Sequence, residues 1–178
     1  KLTVDNYTEV LNGVVASLDT DKIAEQARAV AKEKVTEAVN AKRGDIEAAV
    51  SEKVKEEVTA GVTAAVRANV ESQVLATMNM TKEQYDAAVA AGMISAEQQA
   101  QINAAIEENM KSDAVSQMIS ANVEAKMKAD DITALISSKT DEQVAALIEQ
   151  NMNSSEVQDQ ITAALEKAKS GAASISAL

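Results

Sequence analysis

Apolar residues recur every three or four positions along nearly the whole chain, which is the spacing of one helix face. The pattern begins in the first segment with Val4, Tyr7, Leu11, Val14, Val15 and Leu18. Asp19, Thr20 and Asp21 follow, and these residue types favour helix N-caps. The pattern therefore predicts a leading helix over residues 1–18 and a second helix that starts at residue 19.

The next segment predicts one long outgoing helix over residues 19–80, because only Gly44 and Gly61 interrupt it and an isolated glycine is tolerated. Its β-branched residues recur every four positions, at Ile46, Val50, Val54, Val58, Val62, Val66, Val70 and Val74. A four-residue step drifts about 40° around the helix axis, so one straight partner cannot cover this stripe. Two interpretations remain: a right-handed supercoil, or contact with more than one neighbouring helix, which we favour.

Residues 81–95 carry the strongest stop and start signals of the chain. Thr81 with Gln84 and Ser95 with Gln98 each match the capping-box pattern. Gly92 lies where a glycine ends a helix. We therefore expect a tip turn over residues 81–95 that contains a short helix from residue 82 to residue 91.

Residues 96–178 predict a return arm, with apolar steps of three to five residues. Breaks are expected at Ser112, at Asp130 with Asp131, at Thr140 and at Ser154 with Ser155, so one kinked helix and several helices both remain open. The arm contains an internal repeat: residues 101–124 and 143–166 share 11 identities in 24 positions at an offset of 42 residues. Duplication of a helical unit explains this repeat.

The amino-acid composition supports the helical interpretation and predicts a core made of small side chains. The chain has no Pro, Phe or Trp and only two Tyr among its 178 residues, and small side chains suit close-packed helices better than a thick globule. No strong stop appears from about residue 21 to residue 78, and a helix of about 58 residues would be about 87 Å long. The predicted fold class is all-α, an elongated antiparallel helical hairpin or coiled-coil stalk with a short helical tip.

Several kinds of chemistry are excluded or disfavoured. The chain has no Cys and no His, and its net charge is −11, which argues against thiolate chemistry, typical zinc sites and nucleic-acid binding. The acid pairs at residues 19–21 and 130–131 are interpreted as helix caps. The pairs Glu56–Glu57 and Glu107–Glu108 have no pocket-forming or aromatic residues that would shift the pKa of a carboxyl group. We therefore expect no enzyme activity, no cofactor and no metal. The acidic excess beyond Arg67 is interpreted as a solvated face, with docking of a basic partner as the alternative.

The tip supplies the candidate binding residues, which are Met78, Met80, Tyr85 and Met93. Methionine is adaptable and serves both as a gap filler and as a contact residue on binding surfaces. Two interpretations follow, a small tip core and an exposed patch that contacts a protein partner.

Three runs carry a resemblance to a known family: VLATMNMTKEQYDAAVAAGMISAEQQAQINAAIEENM, LIEQNMNSSEVQDQI and KSGAASISAL. They resemble the extracellular segment of the phage infection protein (Pip/YhgE) family, whose members are membrane proteins of Gram-positive bacteria. The resemblance implies an extracellular helical stalk of a membrane-anchored parent chain. It also implies a protein partner, either a phage protein in adsorption or a component of type VII secretion.

Two other function classes compete with this one. A purely structural or tethering coiled coil, cytoplasmic for example, would have no receptor role. Hydrolysis by paired carboxylates is the weakest alternative. The chain starts at Lys1 and shows no signal peptide, so we expect it to be an excised fragment. A homodimer is left open, and no nucleic acid is expected as a partner.

Overall fold

A computed structural model describes the backbone of residues 4–176 and the side chains of residues 21–171. All regular structure within this part of the chain is helical. Its helices are α1 (Val4–Ala41), α2 (Arg43–Ala76), α3 (Lys82–Ala90), α4 (Ala96–Met110), α5 (Asp113–Met127), α6 (Asp130–Met152) and α7 (Ser155–Ser176). The all-α prediction is confirmed, and the antiparallel hairpin arrangement stays a prediction.

The helix boundaries near the start of the chain differ from the expected ones. α1 runs uninterrupted through residues 19–21, because Asp and Thr cost a helix interior at most about 0.7 kcal/mol each and do not by themselves end it. The interruption falls at Lys42, whose N–H donates to the Val39 carbonyl at 3.0 Å. That bond spans three residues, so a single tightened turn separates α1 from α2. The segment expected as one outgoing helix thus belongs to two.

Residue contacts divide the chain into two compact units. Ala48–Ser138 form the first, called here the middle unit, and Lys1–Glu47 with Lys139–Leu178 form the second, called the terminal unit. α2 and α6 each contribute residues to both. The two units are described one at a time.

The middle unit is built around the valine stripe of α2. The seven stripe residues that lie in this unit, from Val50 to Val74, are all at least partly buried. Val62, Val66 and Val70 belong to one core cluster with residues of the next three helices, which are Tyr85 of α3, Ile102 and Ile106 of α4 and Val123 of α5. α2 therefore shares its core with several helices, as the favoured interpretation of the four-residue period requires.

The terminal unit contains α1, α7 and parts of α2 and α6. α1 packs against α7, and Arg43 at the start of α2 forms an ion pair with Asp141 of α6. Among its described side chains, the buried ones are Val39, Thr140, Val144, Val157 and Ile161. No side chain of α1 between residues 21 and 38 is buried; the partly buried ones are Ile23, Ala24, Ala27, Ala31, Val35 and Thr36. Over these five turns α1 thus has a contact face but no fully enclosed core.

The return segment consists of four helices, α4 to α7, rather than one kinked helix. The interruptions expected at Ser112, at residues 130–131 and at residues 154–155 are confirmed. The one expected at Thr140 is not observed, because α6 continues through it and its side chain is only 1% exposed. Burial of Thr140 on the helix face outweighs the capping tendency of its hydroxyl.

The break between α4 and α5 is a local hydrogen-bonded motif centred on Ser112. Its hydroxyl donates to the Asn109 carbonyl at 2.7 Å and accepts from the Val115 N–H at 3.3 Å. The Asn109 side-chain amide donates to the Ala105 carbonyl at 3.0 Å. One serine thus links the last turn of α4 to the first turn of α5, and we call this motif a serine break.

The same motif occurs 42 residues later, between α6 and α7. The Ser154 hydroxyl donates to the Asn151 carbonyl at 2.6 Å and accepts from the Val157 N–H at 3.3 Å. The Asn151 amide donates to the Leu147 carbonyl at 2.7 Å. The sequence repeat is therefore a repeat of local structure, down to individual hydrogen bonds.

A third break, between α5 and α6, has the same backbone pattern without the serine. The Ala129 N–H donates to the Lys126 carbonyl at 3.1 Å, and the Thr133 N–H donates to the Ala129 carbonyl at 3.0 Å. Ala129 occupies the position of Ser112 but offers no hydroxyl. The chain thus contains its own comparison between breaks with and without a capping serine.

We expect Ser154→Ala to lower the free energy of unfolding by about 1 kcal/mol, because the first turn of α7 loses its side-chain acceptor. In a thermal melt followed by circular dichroism this corresponds to a midpoint lower by about 2–4 °C. Ala129→Ser is the matched variant and should raise the midpoint, since it supplies a hydroxyl where the other breaks have one. Equal midpoints for wild type and Ser154→Ala would show that the serine bonds do not stabilise the break.

A second prediction concerns the core of the middle unit. Leu75 is 0% exposed, so Leu75→Ala should cost about 2–5 kcal/mol through lost burial and the cavity left behind. Leu135→Ala is the control, because Leu135 is 39% exposed and its truncation should cost far less. Urea unfolding curves of the two variants measure the difference, and similar midpoints for both would contradict the burial order.

Candidate functional site

The candidate site is the corner segment, residues 77–95, which lies within the middle unit. It begins where α2 ends in a Schellman motif. The Asn79 N–H donates to the Ala76 carbonyl at 3.0 Å and the Met80 N–H donates to the Leu75 carbonyl at 3.1 Å. Asn79 has a φ of 57°, a left-handed conformation that asparagine tolerates better than most residues. This motif stops α2 at a defined residue and redirects the chain.

A capping box starts α3 immediately afterwards. The Thr81 hydroxyl accepts from the Gln84 N–H at 3.2 Å, and the Gln84 side chain accepts from the Thr81 N–H at 3.0 Å. Two otherwise unpaired N–H groups of the first turn are thereby satisfied. The capping box expected from the sequence is confirmed.

A second Schellman motif and a second capping box follow at the other end of α3. The Gly92 N–H donates to the Val89 carbonyl at 3.0 Å, and the Met93 N–H donates to the Ala88 carbonyl at 2.9 Å. Gly92 has a φ of 73°, so a side chain at this position would strain the backbone. The Ser95 hydroxyl then accepts from the Gln98 N–H at 3.1 Å and caps α4. Both ends of α3 are thus fixed by hydrogen bonds from the chain itself.

Tyr85 secures the corner to the core. Its side chain is 8% exposed and belongs to the same cluster as Leu75 and Ile94. The Lys82 ammonium lies 5.7 Å from the centre of the tyrosine ring, within the range of a cation–π interaction.

The Lys82 ammonium also forms ion pairs with the carboxylates of Glu71, at 2.5 Å, and Asp86, at 3.3 Å. The hydrogen bond to Glu71 raises the pKa of Lys82 above its usual value, against a smaller opposing effect of burial. The positive charge of Lys82 is therefore paired with one carboxylate of α2 and one of α3.

The four tip residues named from the sequence fall into two pairs. Tyr85 is buried, and Met80 packs against the core cluster. Met78 is 42% exposed and Met93 is 79% exposed. Met78 precedes α3 and Met93 follows it, so they lie at opposite ends of a helix of nine residues, about 13.5 Å long. The tip-core interpretation describes the first pair, and an exposed contact surface can be formed only by the second.

Sequence reasoning missed two residues that shape this corner. Asn79 carries the left-handed turn, and the signal was its residue type, since asparagine can take the place of glycine after the C-terminus of a helix. Leu75 lies one residue outside the valine stripe but is fully buried. Its signal was weaker, since it breaks the four-residue period.

One of the carboxylates named from the sequence takes part in an ion pair. Glu107 forms an ion pair with Arg67, and this hydrogen bond lowers the pKa of Glu107 below its usual value, opposite to the shift that a general acid needs. Asp130 and Asp131 lie in the first turn of α6, where the helix dipole favours negative charge. Among the described side chains no group of three acids lies close enough to hold a metal ion. Asp19 and Thr20 lie outside the described side chains.

A groove between α1 and α7 is the second surface feature, and it lies in the terminal unit. It has a volume of about 350 Å³ and a mixed lining: apolar at Ile23, Ala27, Val30, Ala31, Ile161 and Ala164, and polar or charged at Gln26, Lys34 and Gln160. Val30 is 52% exposed although it is apolar. We call this feature the α1–α7 groove.

Comparisons with known proteins identify no relative: no family model, no curated protein and no solved structure matches this chain. The resemblance to the phage infection protein family therefore rests on the quoted runs alone. Within the described part of the chain, no helix combines the length and apolar character that crossing a bilayer requires.

The Arg67–Glu107 pair predicts a specific pH dependence. Because Arg67 lowers the pKa of Glu107 in the folded state, the stabilisation is present above the unfolded carboxyl pKa and is lost as the pH falls through the lowered value. Wild type should therefore melt slightly above Glu107→Gln at neutral pH, and the gap should close in acid. Both side chains are 48% exposed, so the gap should be small and should shrink in high salt.

Glu108→Gln is the control, since its neighbour Glu107 and not Glu108 is paired with Arg67. Thermal midpoints of the three proteins at several pH values measure the effect. A Glu107→Gln gap that stays constant down to strongly acidic pH would contradict the assignment.

Proposed function

We propose that this chain is a non-catalytic helical binding segment and that its corner segment contacts a protein partner. The observation that carries the proposal is the exposure of Met93, at 79%, on a backbone held by hydrogen bonds on both sides. Exposed large apolar side chains are few among the described residues, being Val30, Met78, Met93, Met118 and Leu135, and Met93 is the most exposed of them. Two of the five lie in the corner segment.

A fixed backbone supports a binding role, because a contact residue that is already held in place loses less entropy on association. The Gly92 and Ser95 hydrogen bonds restrain the backbone on either side of Met93. The methionine side chain itself stays adaptable and fills apolar pockets of varied shape. The corner thus combines a rigid support with a soft contact group.

The charges of the corner suggest what the partner offers. Glu83 and Glu97 are exposed and lie in the first turns of α3 and α4, whereas the Lys82 charge is engaged by Glu71 and Asp86. A partner with an apolar pocket rimmed by basic groups would complement this surface.

The biological setting we propose follows from the resemblance stated above. The chain would be an extracellular segment of a membrane-anchored protein of a Gram-positive bacterium. Its partner would then be a phage protein during adsorption or a component of type VII secretion. The quoted runs around the corner and in the return segment support this setting.

A structural or tethering role is the second candidate. The lengths of α1 and α2, 38 and 34 residues, favour it, because helices of this length are typical of coiled coils and spacers. In that case the corner would only turn the chain. The two candidates differ in whether an exposed corner residue affects any binding event.

The decisive experiment replaces Met93 by Asp in the intact parent protein on cells and measures phage adsorption. A charge placed in an apolar contact should reduce adsorption by at least about tenfold, and Met78→Asp should act in the same direction. Surface display must be matched by antibody staining, and the purified chain added in excess should compete for adsorption.

Met118→Asp is the matched control, because Met118 is 50% exposed on α5 outside the corner segment. It should leave adsorption unchanged. Unchanged adsorption with both Met78→Asp and Met93→Asp, at normal display, would reject the corner as the contact site. Loss of adsorption with all three variants would point to general destabilisation instead of a local contact.

A further inference from the structure

We propose that Met93 is a site of oxidative modification by a neutral peroxide, and that its conversion to the sulfoxide abolishes the contact made by the corner segment. The selectivity of the modification depends only on the described structure. Its effect on binding rests on the proposed function. Three observations carry the proposal: the residue types of the chain, the graded exposure of its methionines and the way in which the backbone of Met93 is held.

The first observation is the lack of competing side chains. The chain has seven Met and no Cys, Trp or His, so the methionine thioether is the group that a peroxide attacks most readily. The net charge of −11 repels anionic oxidants but not an uncharged one. Hydrogen peroxide is uncharged at neutral pH and therefore reaches this surface without an electrostatic barrier.

The second observation is the difference in exposure among the methionines. Met93 is 79% exposed, against 50% for Met118 and 42% for Met78. The remaining four are partly buried, and three of these, Met80, Met110 and Met127, pack against the core cluster of the middle unit. Because the peroxide must reach the sulfur atom, Met93 should be oxidised first.

The third observation is that the corner is held by backbone groups at this position. The Met93 N–H donates to the Ala88 carbonyl at 2.9 Å, and the turn is made by Gly92, with a φ of 73°. Oxidation of the thioether leaves both features intact. At Met80 or Met127 a sulfoxide oxygen would instead lie against the core, where an unpaired acceptor is unfavourable. Met93 can therefore become polar while the fold is retained.

The reaction transfers one oxygen atom and two electrons. A lone pair of the Met93 sulfur attacks one oxygen of hydrogen peroxide, so that an S–O bond forms and the O–O bond breaks. The hydroxide that leaves takes up the proton of the attacked oxygen and departs as water. The sulfur is oxidised and the peroxide is reduced, and one sulfoxide and one water form for each peroxide consumed.

The product differs from methionine in the property on which the proposed contact depends. A sulfoxide is polar, and its oxygen accepts hydrogen bonds. An apolar pocket that fits the thioether would have to remove water from this oxygen without offering a donor in return, which costs free energy. Oxidation therefore removes the most exposed apolar side chain of the corner segment from the contact surface.

Peptide mass spectrometry of the native chain, after timed treatment with hydrogen peroxide, tests the selectivity. Sulfoxide should form faster at Met93 than at Met118, and at least about threefold faster than at Met80 or Met127. In concentrated urea these rates should converge, because every sulfur atom is then accessible. Similar rates at Met93 and Met80 in the native chain would overturn the proposal.

Competition for phage adsorption tests the effect on binding. The purified chain, fully oxidised at Met93 and freed of peroxide, should need at least about tenfold more protein for half-maximal competition than the untreated chain. Met93→Leu keeps an apolar side chain of similar volume that a peroxide does not oxidise, so its competition should be unchanged by the treatment. Met118→Leu is the matched control and should lose competition on oxidation as wild type does.

The outcomes separate this proposal from the proposed function. If Met93→Asp competes poorly while the Met93 sulfoxide competes fully, the corner contact stands and its oxidative control is overturned. If both compete as well as the untreated chain, the contact and its control are overturned together. Loss of competition in peroxide-treated Met93→Leu would assign the effect to another methionine and would overturn the role of Met93.

Discussion

The structure depends on close contact between helices whose apolar side chains are small. With no Phe or Trp available, burial must come from many Val, Ile and Ala side chains, each contributing little. The valine stripe of α2 meets this constraint in the middle unit, because a four-residue period spreads contact around the helix and lets several short helices share it. In the terminal unit α1 packs against α7, and none of its side chains between residues 21 and 38 is buried.

Local hydrogen-bond signals in the sequence predicted local structure well. Both capping boxes and the glycine stop at Gly92 are confirmed, because their geometry is set within a few residues. The break between α1 and α2 at Lys42 was not predicted. Nor was it predicted that α1 continues through residues 19–21 and α6 through Thr140. These depend on small differences in helix propensity and on burial, which residues far away in the sequence provide. Asn79 shows an intermediate case, since its signal was present but weaker than that of a glycine.

The candidate site was predicted in position but not in its division between core and surface. Met78 and Met80 are two residues apart and of the same type, yet one is exposed and the other packs against the core. Periodicity alone could not separate them, because they lie in the turn after α2, where the helical period no longer applies. Tyr85 was recoverable, as Tyr85, Ala88 and Val89 have the spacing of one helix face and all are at least partly buried. The α1–α7 groove was not foreseen, since it requires knowing that α1 and α7 are neighbours.

The burial of Tyr85 has a consequence for spectroscopy. The chain contains no Trp and only two Tyr, and tyrosine emission is usually quenched by energy transfer to tryptophan where tryptophan is present. In this chain no tryptophan quenches the tyrosine emission. Replacing Tyr7 by Phe would leave Tyr85 as the single phenol ring, with the Lys82 ammonium 5.7 Å from its centre. The protein therefore carries a natural optical probe at the junction of α2, α3 and α4, without any dye or added residue.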